Sequence, residues 1–142
     1  MTSKTLVAFA LIVGVAVGFA GHALVSAQAP APPLPPGVKN TPLLRTDLTG
    51  VEGKEIIMGV LEVAPGASIP KHIHHGQEMV YVLEGTGATD VQGHPTQTVK
   101  AGDHLHRPFQ VPHDFKNVGS TPVKVVSVFV VDKGKPLIVP VP

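Results

Sequence analysis

Residues 66–85 read GASIPKHIHHGQEMVYVLEG, and this stretch decides how the rest of the chain is interpreted. His72 and His74 stand two residues apart, and on a β-strand side chains at positions i and i+2 point to the same face. Glu78 follows a short turn that contains Gly76 and opens the next predicted strand. The stretch therefore predicts two strands that bring two imidazoles and a carboxylate to one cavity.

A second stretch, residues 102–117 (GDHLHRPFQVPHDFKN), adds a third imidazole from His113 at the start of another predicted strand. Three histidines and one glutamate form a mixed nitrogen and oxygen donor set, which suits Mn, Fe, Co, Ni, Cu or Zn rather than calcium. Four protein ligands leave one or two positions open on an octahedral ion, as a substrate or dioxygen would require. We therefore expect His72, His74, Glu78 and His113 to hold one divalent metal ion.

The chain after Gly37 predicts short strands separated by turns. The whole chain has fifteen glycines and fifteen prolines, most of which separate valine-rich segments after Gly37, and no stretch after Gly37 has a convincing helical period. Predicted strands cover residues 55–63, 69–74, 78–84, 88–91, 96–100, 103–107, 113–118 and 122–131. Strands at this spacing are typical of an all-β sandwich or barrel.

Composition excludes several classes of function. The 142 residues fit one domain, and the charge is nearly balanced with 11 basic and 10 acidic residues. Balanced charge and an aromatic share of 4% give no reason to expect nucleic acid as a partner. Because the chain has no cysteine, disulfides and thiolate metal sites are excluded.

The N-terminus predicts export. Residues 6–19 (LVAFALIVGVAVGF) carry no charge and match the core of a secretory signal, with a cleavage site after Ala27. An uncleaved membrane anchor is the alternative. We expect a signal peptide at 1–27, a proline-rich linker at 28–40, the domain at 41–135 and a tail at 136–142. The protein would then be periplasmic or secreted, touching a membrane only through its N-terminal segment.

The two stretches resemble the two motifs of the cupin superfamily. Every fixed position of the first motif is met, by Gly66, His72, His74, Glu78 and Gly85. The second motif is met by Gly102, Pro108, His113 and Asn117, and departs only at Gln110, where glycine is usual. The resemblance covers residues 41–135 and is nearest to small single-domain, quercetin-dioxygenase-like members. It implies a cupin jelly-roll β-barrel with the metal inside its mouth, held by His72, His74, Glu78 and His113.

Two main functions are compatible with this resemblance. The first is a metal-dependent enzyme of dioxygenase-like type, with lyase or isomerase chemistry as other options, in which Glu78 leaves the metal and acts as a general base. The second is a non-catalytic protein that binds a metal or a small metabolite. A structural or storage role, or a degenerate barrel without metal, is a further alternative. Polar groups beside the metal would favour catalysis, and a dry apolar pocket would favour binding.

A homodimer is predicted from strands that are apolar on both faces. In the last long strand, Val126 and Val130 share one face, while Val125 and Phe129 share the other. One face can fill the barrel interior, so the other needs a cover. We expect a second subunit to provide it.

Arg107 and its neighbours are weaker site candidates. Leu105 is more apolar than His104 or His106, so Leu105 should face inward and the two histidines outward. Arg107 would then face the interior and could contact an anionic substrate. If the parity were reversed, His104 and His106 could support the metal ligands or carry protons.

Three other polar residues are expected on the surface. His75 follows a predicted ligand and should point away from the cavity, and His94 lies in a polar turn. Tyr81 shares a strand face with Met79, opposite to Glu78, so it is expected at an interface and not in the pocket.

Overall fold

The computed structural model describes residues 33–142, and the predicted signal segment lies outside this range. The described residues form ten strands: β1 Val38–Asp47, β2 Lys54–Val63, β3 Ser68–Ile73, β4 Gly76–Glu84, β5 Thr86–Thr89, β6 Gln97–Lys100, β7 His104–Arg107, β8 His113–Asn117, β9 Val123–Asp132 and β10 Val139–Pro140. Among them there is no helix that is long and apolar enough to cross a membrane. The all-β prediction is confirmed.

The strands form two antiparallel five-stranded sheets. The first sheet has the order β1-β2-β9-β4-β7, and the second has the order β10-β3-β8-β5-β6. Both motif stretches contribute to both sheets, since β4 and β7 belong to the first sheet and β3 and β8 to the second. All eight predicted strands are present, with bounds that differ by at most two residues.

Two strands were not predicted. β1 is an exposed edge strand whose sequence, VKNTPLLRTD, lacks apolar alternation and contains Pro42 beside a register shift. It begins at Val38, inside the segment assigned to the linker. β10 pairs only two residues with β3 and lies in the segment assigned to the tail. Strand pairing therefore extends beyond 41–135 at both ends.

The inner face of the barrel changes from apolar to polar along its length. At one end, Val82 of β4 and Val123 of β9 are fully buried. Further along the same strands and on the same face, Glu78 and Ser127 replace them. The core contains Val63, Ile69, Val80, Val82, Val99, Leu105, Phe115, Val123 and Val125. The apolar end stabilises the barrel, and the polar end is left for a site.

The side chain of Asn117 stabilises the apolar end of the barrel by hydrogen bonds. Its buried side chain donates from Nδ2 to the carbonyl oxygens of Val63 and Thr121, both at 2.8 Å. Its Oδ1 accepts a hydrogen bond from Gly119 N at 2.9 Å. These three bonds satisfy the amide and hold the turn between β8 and β9 against the end of β2. The asparagine of the second motif is therefore structural.

Candidate metal centre

Three imidazoles from two neighbouring strands meet in the barrel interior. His72 on β3 is the register partner of His113 on β8, and His74 lies just beyond the end of β3. Their ring centroids are 4.4 to 4.9 Å apart, and one ring nitrogen from each falls within 4.8 Å of the others. All three side chains are buried. The structure thus confirms that these predicted residues form one cluster.

Backbone carbonyls set the orientation of all three rings. The Nδ1 atoms of His72, His74 and His113 donate to the carbonyl oxygens of Pro70, Leu137 and Val111, at 2.8, 2.6 and 2.9 Å. Since a carbonyl can only accept, each Nδ1 carries the proton and each Nε2 of a neutral ring keeps its lone pair. The Nε2 atoms of His74 and His113 are buried and have no hydrogen-bond partner among residues 33–142.

Glu78 brings a carboxylate to the same point. It is 8% exposed, and its Oε2 lies 3.4 Å from His74 Nε2 and 3.7 Å from His113 Nε2. Burial alone would raise the pKa of Glu78, but the adjacent imidazoles of His74 and His113 and the hydroxyl of Ser127 together lower it. The carboxylate is therefore ionised at neutral pH.

His72 and His113 are neutral at physiological pH. Burial lowers the pKa of His113 to about 4, against an opposing contribution from its hydrogen bond to Val111. Burial also lowers the pKa of His72, against its bond to Pro70. Neutral imidazoles are the form that binds a metal, so protons do not compete with an ion for these two rings at pH 7.

This donor set fits a divalent transition metal. Buried Nε2 atoms without partners are costly unless something occupies the point they face. Imidazole ligands whose other nitrogen is held by a carbonyl are the usual arrangement around such an ion. The three histidines can therefore bind a metal, and the place of Glu78 as a fourth ligand stays a prediction.

The cluster lies between two cavities of unequal size. The larger, of about 320 Å³, has His72, His74 and Glu78 in its wall, together with both ends of the described chain at Leu34 and Ile138. The smaller, of about 40 Å³, contains His72, Glu78, His113 and Arg107. Because His72 and Glu78 line both, the two cavities adjoin at the metal-binding point.

Arg107 faces the interior, as its parity with Leu105 predicted. It is 3% exposed, while His104 and His106 are exposed on the outer face of β7. His106 pairs there with Gln77, Nε2 to Oε1 at 2.9 Å, so neither histidine supports the metal ligands. Burial lowers the pKa of Arg107, although Glu78 and Asp114 oppose this. The guanidinium stays charged.

The remaining candidates lie outside the cluster. His75 is partly exposed, and its Nδ1 lies 3.4 Å from Gln110 Nε2. His94 is exposed in the turn before β6. Tyr81 is 51% exposed on the outer face of the first sheet. None of them lines either cavity.

Gln110 shows why glycine is usual at its position. Its φ is 57°, which makes it the single non-glycine residue with positive φ among residues 33–142. Glycine adopts this left-handed conformation without strain, whereas other residues do so at a cost. The turn is held by a hydrogen bond from Gln110 N to the carbonyl oxygen of His74 at 3.2 Å. The departure from the motif therefore keeps the turn and leaves the ligands in place.

Sequence reasoning missed three contributors to the site. Leu137 acts through its carbonyl oxygen, for which the sequence carries no signal. Thr89 accepts a hydrogen bond from Arg107, but it stands in a short strand with no distinctive pattern. Ser127 lines both cavities. The sequence did indicate Ser127, because it is the one polar residue between the inward-facing Val125 and Phe129.

Comparison with known proteins agrees with this geometry. A family model described as a cupin domain matches residues 59–129, half of the chain. Germin-like protein 5-1 from Oryza sativa subsp. japonica is 37% identical over 87 residues, which cover 58% of this chain and 39% of that protein. The chain spans about half the length, or less, of the curated relatives it matches.

Solved structures share the fold. The polyketide cyclase RemF from Streptomyces resistomycificus superposes with a TM-score of 0.60 and 24% identity, covering 77% of this chain and 74% of RemF. The DMSP lyase DddQ from Ruegeria pomeroyi DSS-3 gives 0.55 and 24%, covering 60% of this chain and 42% of DddQ. On its two motifs, its two antiparallel sheets and this match, the chain belongs to the cupin family, with a jelly-roll barrel whose three buried histidines can bind a metal ion.

Proposed function

We propose that this chain is a metal-dependent enzyme of dioxygenase-like type that acts on small molecules. One observation carries the proposal: His72, His74 and Glu78, three members of the converging cluster, line a cavity of about 320 Å³. A cavity of that size admits a small organic molecule beside the converging ligands. Purely structural metal sites are closed by their protein ligands and need no such space.

The metal would be held by His72, His74, Glu78 and His113. An ion bound there, Mn, Fe, Co, Ni, Cu or Zn, would supply Lewis-acid polarisation of a bound oxygen atom, and redox chemistry where the metal permits it. Export would place the protein away from cytosolic reductants, which favours Mn, Ni, Cu or Zn over ferrous iron. Support for export comes from the charge-free residues 6–19.

Glu78 would also act as the general base. Its carboxylate is ionised at neutral pH and reaches both cavities, so Oε2 can accept a proton from a ligand in either. The other groups near it are a serine hydroxyl and imidazoles whose Nε2 atoms would be committed to the metal. Related folds include a cyclase and a lyase, so lyase and isomerase chemistry stays compatible with this base.

A non-catalytic binding protein is the second candidate, because the larger cavity is mainly apolar. Beyond the metal-binding side chains, its polar lining comes from Asn40 and Ser127. Its other walls are Leu34, Leu61, Ile69, Phe129, Leu137 and Ile138. Such a wall would retain an apolar metabolite by burial alone.

Metal analysis followed by an activity screen tests the enzyme proposal. Protein purified from its native compartment should contain about one metal ion per chain, and oxygen uptake should be screened with catechols, flavonols and β-diketones, with mass spectrometry to detect lyase or isomerase products. Glu78→Gln should lower turnover by roughly 100-fold or more, where 100-fold is the lower end of the range for loss of a general base. Full turnover in Glu78→Gln would contradict its role as the base. No consumption of any substrate would favour the binding protein.

We also propose that a second copy of the chain covers the outer face of the first sheet. Met58, Val128 and Met79 form a row across three adjacent strands, and Tyr81 extends the same face. Met79 and Tyr81 are exposed, whereas their strand neighbour Glu78 faces the interior. Flat apolar sheet faces of this kind can stack on themselves about a two-fold axis and bury both copies.

The mass in solution tests the dimer. Light scattering at micromolar concentration should give twice the mass of the mature chain, and Val128→Asp at the centre of the face should give one chain mass. A wild-type protein of single-chain mass would refute the dimer and leave the metal site unaffected.

A further inference from the structure

Arg107 is a buried cation that forms no salt bridge within residues 33–142. Its side chain is 3% exposed, and its Nη2 donates to the hydroxyl of Thr89 at 2.6 Å. That hydroxyl in turn donates to the carbonyl oxygen of Asp114 at 2.5 Å. Arg107 Nε is buried and has no hydrogen-bond partner among residues 33–142. A buried donor on a charged group is costly to leave unpaired, so the position favours an additional acceptor.

An additional acceptor for Arg107 could lie in the smaller cavity, beside the metal-binding point. Arg107 shares this cavity with Glu78, and the two residues are register partners on β7 and β4. Most of the other lining residues are apolar, and they include Val80 and Phe115. At about 40 Å³ the cavity has room for a group the size of a carboxylate and not for a ring.

Electrostatics decides the charge of the occupant. A divalent ion at the histidine cluster would add two positive charges near a guanidinium, and the carboxylates that act on this guanidinium are those of Glu78 and Asp114. A further anion in the smaller cavity would offset that excess in a region of low dielectric. The planar guanidinium is shaped to hold a carboxylate by two hydrogen bonds.

We propose that Arg107 binds the carboxylate of a small carboxylic-acid ligand, whose remaining part occupies the larger cavity. This inference rests on the metal-dependent function proposed above and names the substrate class. The carboxylate lies in the smaller cavity beside His72 and Glu78, and the apolar remainder packs between Ile69 and Phe129. Arg107 therefore determines specificity for anionic over neutral ligands.

A titration with acetate and its uncharged isostere acetamide tests this assignment. The protein is loaded with Co(II), whose visible absorption reports ligands near the metal, and heat is measured by calorimetry in parallel. Wild type should bind acetate and discriminate against acetamide. Arg107→Met keeps the length of the side chain without its charge, and should lower acetate affinity by about 100-fold, the loss typical of removing a bidentate ionic contact.

Two further variants separate recognition from structure. Arg107→Lys retains the positive charge but cannot make the two parallel hydrogen bonds of a guanidinium. Acetate affinity should therefore fall by about tenfold, while the preference for acetate over acetamide remains. Lys71→Met removes one positive charge from an exposed position next to His72, and should leave acetate affinity unchanged. If Arg107 only braced Thr89, its substitution would lower the melting temperature and leave the acetate preference intact.

The outcomes distinguish the two proposals. Arg107→Met that holds cobalt and binds acetate with wild-type affinity would overturn the carboxylate site and leave the metal-dependent function standing. Wild type that takes up no cobalt would overturn the metal-dependent function. In that case the same titration of metal-free protein, followed by thermal shift, still tests Arg107. If Arg107→Met does not fold, undiminished acetate affinity in Arg107→Lys overturns the proposal.

Discussion

His74→Ala should abolish stoichiometric metal binding. The substitution removes one of three converging Nε2 atoms and leaves the carbonyl oxygen of Leu137 without its 2.6 Å hydrogen bond. Residues that only support a metal ligand cost about 10- to 100-fold in affinity when changed, so loss of a ligand should exceed about 100-fold. Elemental analysis after reconstitution and dialysis should give about one ion per wild-type chain and far less than one in the variant.

A thermal measurement gives an independent result for the same variant. Metal at 100 times its Kd should stabilise the wild-type protein by about 2.7 kcal/mol and leave His74→Ala nearly unchanged. His75→Ala is the matched control, because it makes the same change one residue further on, at a partly exposed side chain outside the cluster. Equal metal content in wild type and His74→Ala would contradict the site.

Gly76→Ala should unfold the protein at a much lower temperature. Gly76 starts β4 and faces Val131 of β9 in the register. A Cβ added there would lie 2.2 Å from the carbonyl oxygen of Val130 and 2.5 Å from the Cα of Val131. These are backbone atoms of a central strand, so they can give way only if the sheet shifts. Overpacking of this severity costs about 3 kcal/mol, or roughly 10 °C or more in Tm.

The position of Gly76 also predicts an effect on the metal. The residue lies between His74 and Glu78, so a shifted β4 would move both away from the converging point, and metal affinity should fall with stability. Gly119→Ala is the control, since its Cβ would meet nothing closer than 3.5 Å. Circular dichroism melts should separate the two variants clearly. A Gly76→Ala protein that melts with wild type would show that β9 does not constrain this turn.

Much of the barrel was predictable because its strands carry local signals. In β4, Glu78, Val80 and Val82 alternate with exposed side chains, so parity alone gives the inward face. The same reasoning placed Arg107 inside from its parity with Leu105. The histidine cluster followed from the two-residue spacing of His72 and His74, which a strand converts into a shared direction.

Other parts depend on pairing that no local pattern reveals. β1 is almost wholly exposed, so its order comes from hydrogen bonds to β2 and not from burial of its own side chains. Leu137 contributes a backbone oxygen, which every residue possesses. The hydrogen bond of Arg107 to Thr89 was also beyond local reasoning, because Thr89 reaches it from the other sheet.

The segments that flank the barrel, at Leu34 and at residues 137–138, allow the larger cavity and the metal centre to change separately. The side chains of Leu34, Leu137 and Ile138 form part of the larger cavity wall and lie outside the hydrophobic core. This wall is connected to the histidine cluster by the hydrogen bond from His74 Nδ1 to the carbonyl oxygen of Leu137. That bond is kept when the side chain of Leu137 is substituted, unless the substitution displaces the backbone. Mutations in these flanking segments can therefore change the size of the larger cavity for a new ligand while the orientation of the histidine rings is kept.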